Sequence, residues 1–149
     1  MQLASYETAS EMMQSLSAQI ASELSAAIAL RGRACLAVPG GSTPGPLFDQ
    51  LSQAPLDWAN VTVMLTDERW VPRDHDASNE AMVRQNLLQD QAAKAQFMSL
   101  IPDLSDEASN LQEVCSQLDQ LGTFDVVILG MGGDRHTASL FPCAEEIDT

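Results

Sequence analysis

The sequence predicts an α/β protein built on an open, mostly parallel sheet with crossover helices on both faces. Three observations predict it. Short apolar runs recur along the chain, segments with three- and four-residue apolar spacing separate them, and the clearest runs empty into glycine-rich or polar loops. No repeat, low-complexity tract or linker interrupts this alternation, so residues 1–149 read as one domain.

The first segment, Thr8 to Arg31, carries Met12, Met13, Leu16, Ile20, Leu24 and Ile28 on one helical stripe. Thr8 and Glu11 have capping-box spacing, and Gly32 stands where a helix stops. Ala34 to Val38 is too short for a helix and reads as a strand buried on both faces. A glycine-rich turn then opens a helix near Pro44 to Gln53. Val61 to Leu65 repeats the strand pattern, Thr66 to Asp76 is a polar loop, and Ala77 to Leu88 reads as a helix with Ala81, Met82, Gln85 and Leu88 along one side. Phe97 to Ile101 is expected as a third strand, Ser105 to Leu121 as a helix, and Phe124 to Leu129 as a last strand running into Gly130. Such alternation implies parallel strands joined by right-handed crossovers.

Composition narrows the function classes. Seven Lys and Arg face 21 Asp and Glu, giving a formal net charge of −14 and a pI near 4.1. With Lys94 the only lysine and six scattered arginines, the chain lacks the basic footprint that nucleic acid requires. No apolar run approaches the roughly 20 residues that cross a bilayer, and Met1 to Ser10 has no signal-like character, so a soluble, cytoplasmic protein without a membrane partner is expected. Cys35, Cys115 and Cys143 match no metal or disulfide spacing and are expected to be reduced.

In open parallel sheets the ligand site lies beyond the carboxyl ends of the strands. The loops leaving Val38, Leu65 and Leu129 are also the most unusual stretches of this sequence. In the first, Gly40 and Gly41 permit close backbone approach while Ser42 and Thr43 bring hydroxyls before a helix with Pro44 at its start. It reads as a phosphate cradle or as a tight turn with a Ser/Thr helix cap. It is neither a Walker A loop nor a hydrolase nucleophile elbow.

The second loop sets Asp67, Glu68 and Arg69 directly after a buried strand. Arg69 is either an oxyanion or phosphate ligand held by a neighbouring acid, or half of a structural ion pair. Asp74, His75 and Asp76 read as an exposed polar turn, and Ser78 and Asn79 as caps of the next helix. In the third loop, Gly130 and Gly132 precede Asp134 and His136. A carboxylate beside an imidazole suits acid–base chemistry, and a turn aspartate with a surface histidine is the plainer alternative. Arg135 stands where a dinucleotide fingerprint would need its third glycine.

Together these loops, Gly40-Gly41-Ser42-Thr43-Pro44, Asp67-Glu68-Arg69-Trp70-Val71-Pro72 with Ser78-Asn79, and Gly130-x-Gly132-x-Asp134-x-His136-Thr137-Ala138-Ser139-Leu140-Phe141-Pro142, make a chain that resembles the 6-phosphogluconolactonase family. The glycine-rich pieces are shared with glucosamine-6-phosphate deaminases, whereas Arg69 to Pro72 and Ala138 to Pro142 favour the lactonase branch. The resemblance implies a Rossmann-like fold of the NagB, RpiA and CoA-transferase kind. It implies hydrolysis of 6-phospho-D-glucono-1,5-lactone, a sugar-phosphate lactone of the oxidative pentose phosphate pathway, without metal or cofactor. By position His136 is the general base, Asp134 its acidic neighbour and Arg69 the group that stabilises or orients the reacting centre. Gly41, Ser42 and Thr43 would hold the sugar phosphate, with Gly40, Asp67 and Gly132 alongside.

Two departures from the family qualify the expectation. Arg135 stands where the family has glycine, and is expected to strain the turn by roughly 1–3 kcal/mol and to push a cation into the pocket, the alternative being an ordinary backbone conformation with the side chain pointing to solvent or meeting the substrate phosphate. The chain ends at Thr149, where family members continue with further strands, helices and phosphate-binding cations. It therefore reads as the front portion of a longer lactonase domain, with an open sheet edge and a monomeric or weakly self-associating state. The alternatives are a catalytically impaired sugar-phosphate-binding fragment and a deaminase-like isomerase.

Overall fold

A computed structural model describes residues 3–142 and 144, so Cys143 lies outside the described residues. The order of elements is α1 (Ala9–Arg31), β1 (Ala34–Val38), α2 (Gly45–Ser52), β2 (Val61–Leu65), α3 (Asn79–Asn86), β3 (Gln96–Met98), α4 (Glu107–Leu121) and β4 (Val126–Val127), with 3-10 turns at Trp58–Asn60 and Asp90–Lys94. The four strands form one parallel sheet in the order β3-β2-β1-β4. The α/β class and the parallel sheet are those the sequence predicts.

α1 begins where the Thr8 hydroxyl accepts the Glu11 N–H, and stops at Gly32, whose φ of 75° is the left-handed conformation open to glycine. Its buried face is Ser17, Ile20, Leu24 and Ala27; the amino-terminal end of the expected stripe, Met12 and Met13, is less covered. All five β1 residues are buried, as a strand between two helical layers requires. Alternate side chains go to opposite layers. Leu36, Val38, Val63 and Leu65 join Ile20, Leu24, Leu47 and Phe48 on the side of α1 and α2. Ala37, Met64 and Met98 meet Val114 of α4 on the other.

Three expectations need correction. The helix over 77–88 is shorter, and its buried side is Asn79, Glu80, Val83 and Leu87 rather than the side carrying Gln85, because polar contacts from the preceding loop bury its first turn. The third strand is Gln96–Met98, ending before Ile101. The last ladder is confined to Val126–Val127, although Asp125 and Ile128 extend it by donating to Cys35 and Ala37 carbonyls at 3.0 and 2.9 Å. β4 is paired only with β1 among the described residues, and Val127 and Leu129 are half-exposed. A strand supported on one side keeps fewer regular hydrogen bonds than its apolar sequence suggests.

Candidate active site

β1 occupies the interior of the sheet with β2 and β4 on either side, so the loops leaving these strands emerge next to one another. Between them lies a cleft of about 690 Å³. Of the expected site residues, Gly40, Gly41, Ser42 and Thr43 line it from the first loop and Asp67 and Arg69 from the second. Gly132 and His136 line it from the third. Met13 and Leu16 of α1 and Phe141 give it an apolar wall that the sequence did not signal.

In the first loop Gly41 has φ 83°, a conformation that requires glycine. Gly40 is required for a different reason: a Cβ there would fall on the Asn79 amide. Pro44 takes the cap position of α2 without a side-chain bond and Pro46 stands in the first turn, so the Ser/Thr cap is not formed. The Ser42 and Thr43 side chains are exposed and make no hydrogen bond among the described residues, which leaves both hydroxyls to a ligand.

The second loop resolves the question of its paired acids. Glu68 turns away from Arg69's guanidinium and serves the start of α3, accepting from the Asn79 and Glu80 N–H groups at 2.8 and 2.7 Å and from the Ser78 hydroxyl at 3.1 Å. A carboxylate at that end also meets the positive pole of the helix. The Ser78 hydroxyl accepts the Ala81 N–H at 3.2 Å and is the cap expected. Asn79 does something else. Its buried amide donates to the Asp67 carbonyl at 3.0 Å and accepts from Arg69 Nη1, which also donates to the Ala77 carbonyl at 3.0 Å. The neighbouring acid expected to hold Arg69 is therefore replaced by a neutral amide and a carbonyl. Downstream, His75 Nδ1 accepts the Ala77 N–H at 3.0 Å, consistent with a polar turn.

The third loop folds on itself through Gly132 N–H to the His136 carbonyl and Arg135 N–H to the Gly132 carbonyl, both at 2.9 Å. This sets His136 Nδ1 2.5 Å from Asp134 Oδ1, and stacks the imidazole on Phe141 with ring centroids 5.0 Å apart. Hydrogen bonds from the His136 side chain and backbone hold the Asp134 carboxyl below the usual aspartate range. Asp134 does not line the cleft; it stands behind the ring. Gly132 makes the pair possible, since a Cβ there would fall on the imidazole and within 2.7 Å of Asp134 Oδ1. Ser139, from the same loop, donates to Asp67 Oδ2 at 2.8 Å.

Arg135 has φ 73°, so the strain expected of a non-glycine residue is present. The expectation that its side chain enters the pocket is not met. Arg135 is exposed and absent from the cleft lining, as in the alternative that its side chain points to solvent.

The family model described as glucosamine-6-phosphate isomerases/6-phosphogluconolactonase matches residues 7–149. The chain belongs to that family. Among curated members, a 6-phosphogluconolactonase of Pseudomonas aeruginosa is 44% identical over 144 residues, covering 95% of this chain and 60% of that protein. One from Rhizobium meliloti is 46% identical over 138 residues, covering 92% and 60%. The crystal structure of a 6-phosphogluconolactonase from Shewanella baltica superposes with TM-score 0.90 at 45% identity, covering 96% of this chain and 62% of that one. The chain thus spans about three fifths of the length of these family members.

Proposed function

We propose that the chain carries the water-activating part of a 6-phosphogluconolactonase, a carboxylic ester hydrolase that converts 6-phospho-D-glucono-1,5-lactone to 6-phosphogluconate. The observation that carries the reading is that His136, held by Asp134, lines one cleft with Arg69 and the free Ser42 and Thr43 hydroxyls. With Nδ1 bonded to a carboxylate, the imidazole keeps its proton on that nitrogen and presents the lone pair of Nε2. Nε2 takes a proton from water as the oxygen adds to the lactone carbonyl. The resulting tetrahedral oxyanion needs a positive or donor group beside it, a role assigned to Arg69. Its collapse breaks the bond to the ring oxygen, which leaves with the proton held by His136. Aligned in this way, one base serves both halves of the reaction.

Gly40, Gly41, Ser42 and Thr43 would seat the phosphate at the start of α2, where unpaired N–H groups favour an anion. The 44–46% identity of relatives named for this activity supports the choice of substrate. Under this reading residues 1–149 form one α/β unit, the amino-terminal portion of a lactonase domain, monomeric or weakly self-associating through the exposed Val127 and Leu129 edge. No helix among the described residues is long and apolar enough to cross a membrane. A cytoplasmic place follows from the substrate, whose phosphate charge keeps it inside a cell.

The test is hydrolysis of the phosphogluconolactone at a pH where the spontaneous reaction is slow. The chain is expected to accelerate it, and His136→Ala to remove the acceleration; no excess rate from the parent chain would overturn the reading. A second reading, binding of the sugar phosphate without turnover, is favoured by the strained backbone at Arg135. It predicts calorimetric binding of 6-phosphogluconate by a chain that leaves the lactone hydrolysis rate unchanged.

A further inference from the structure

Arg69 borders the main cleft and also a second one of about 440 Å³, lined on its far side by Asp76, Ser78 and Asn86. An arginine side chain has many rotamers, so some contact must select the one that serves the reaction. Only Nη1 is tied among the described residues, to the Ala77 carbonyl and the Asn79 amide oxygen. The remaining donors of the guanidinium are left for an anion.

Asn79 is 2% exposed and uses its polar groups on three sides. Its backbone N–H is fixed by Glu68, its Nδ2 by the Asp67 carbonyl, and its Oδ1 by Arg69. On its fourth side the missing Cβ of Gly40 gives it room, so the first loop packs directly on the amide. A buried amide with its orientation over-determined in this way cannot turn to follow the arginine; the arginine must follow it. We propose that Asn79 is a positioning residue, which holds the Arg69 guanidinium at the main cleft and locks the first loop to the second. The inference rests on the lactonase reading for what Arg69 then does there. Helix capping, the ordinary use of an asparagine at this position, is performed here by Ser78 and Glu68.

Two measurements test it. In protein labelled with 15N-arginine, the bound guanidinium of Arg69 is expected to show slow rotation about its Cζ–N bonds, with separate Nη signals that merge in Asn79→Ala. Unchanged signals would overturn the proposal. Calorimetry with 6-phosphogluconate then supplies a double-mutant cycle. Arg69→Ala is expected to weaken binding at least 10-fold and Asn79→Ala about 10-fold, with the double variant no weaker than Arg69→Ala alone. Full additivity would show that Asn79 acts without Arg69 and would overturn the proposal, even where thermal stability falls. Should Asn79→Ala fail to fold, Asn79→Ser keeps a small polar group that cannot span to Arg69 and is expected to give the same pattern. A parent chain that binds no 6-phosphogluconate would defeat the lactonase reading, while the guanidinium spectra still decide the role of Asn79.

Discussion

Ser139 Oγ donates to Asp67 Oδ2 at 2.8 Å, joining residues 72 positions apart across the mouth of the cleft. The bond ties the loop that carries His136 to the loop that carries Arg69. It also stands one residue beyond Ala138, whose φ of 52° is uncommon outside glycine. A strained turn persists where its surroundings over-determine it, and this bond is one such determinant. Ser139→Ala is therefore expected to reduce kcat about 5- to 10-fold with KM changed less, and to cost about 1 kcal/mol of stability in urea titrations. Equal losses in kcat and in the fraction folded would assign the bond to folding alone.

Gly132→Ala tests the crowding at the His136–Asp134 pair. The added methyl falls where the imidazole lies, so His136 must leave Asp134 or the turn must open. Lactone hydrolysis is expected to fall by about 100-fold or more, in line with the loss of an oriented base. Circular dichroism should remain close to that of the parent, because Gly132 belongs to a surface loop outside the core.

Arg135→Gly removes a side chain from a backbone with φ 73°. Relief of that conformation is expected to stabilise the fold by about 1 kcal/mol in denaturant titrations, against the extra entropy glycine brings to the unfolded chain. Since Arg135 does not line the cleft, turnover should be retained or raised. A loss of turnover would assign the cation to the substrate.

Asp134 supplies the pH dependence. Its folded carboxyl titrates below the ordinary value of 3.8 because His136 hydrogen-bonds to the carboxylate. For a lowered acid, the stabilising contribution is fully present above the ordinary value and is lost as pH falls through the folded one. Carbon NMR of the carboxyl should place the midpoint under 3.8, moving up in His136→Ala. A midpoint at the ordinary value in the parent would mean that the pair is not formed.

The thiols give a probe independent of the site. Burial, with a smaller contribution from the nearby Asp125 carboxylate, pushes the Cys35 thiol up to about 11, whereas Cys115 is exposed. At pH 8 iodoacetamide should label Cys115 within minutes and leave Cys35 unmodified until the chain unfolds, as peptide mapping would show.

Much of this arrangement is readable along the chain, and what is not shares one physical cause. β1 and β2 keep their sequence-predicted bounds because an apolar run between loops allows no other burial, and Thr8 and Gly32 mark α1 through contacts within four residues. The three loops and His136, Asp134 and Arg69 stand where strand ends had to bring them. Glu68 and Asn79 were opaque because their partners lie 10 to 12 residues away and depend on how the loop crosses the helix start. The extent of β4 was likewise illegible: apolar residues state that a strand is covered, but not by which neighbour.

The pairing of β1 with β4, through Leu36 with Val126 and Ala37 with Val127, has a temporal meaning. Residues up to about Met98 can build β1, β2 and β3 from contacts between consecutive elements. The strand that delivers His136 must then close a loop of some 90 positions before it docks, anchored by Asp125 on the Cys35 N–H. On a ribosome β1, β2, β3 and Arg69 are complete first, and His136 is seated after them. Three strands of the sheet therefore assemble before His136 reaches the cleft, and under the proposed function slow docking of β4 would show as refolding in which tertiary fluorescence recovers ahead of lactone hydrolysis.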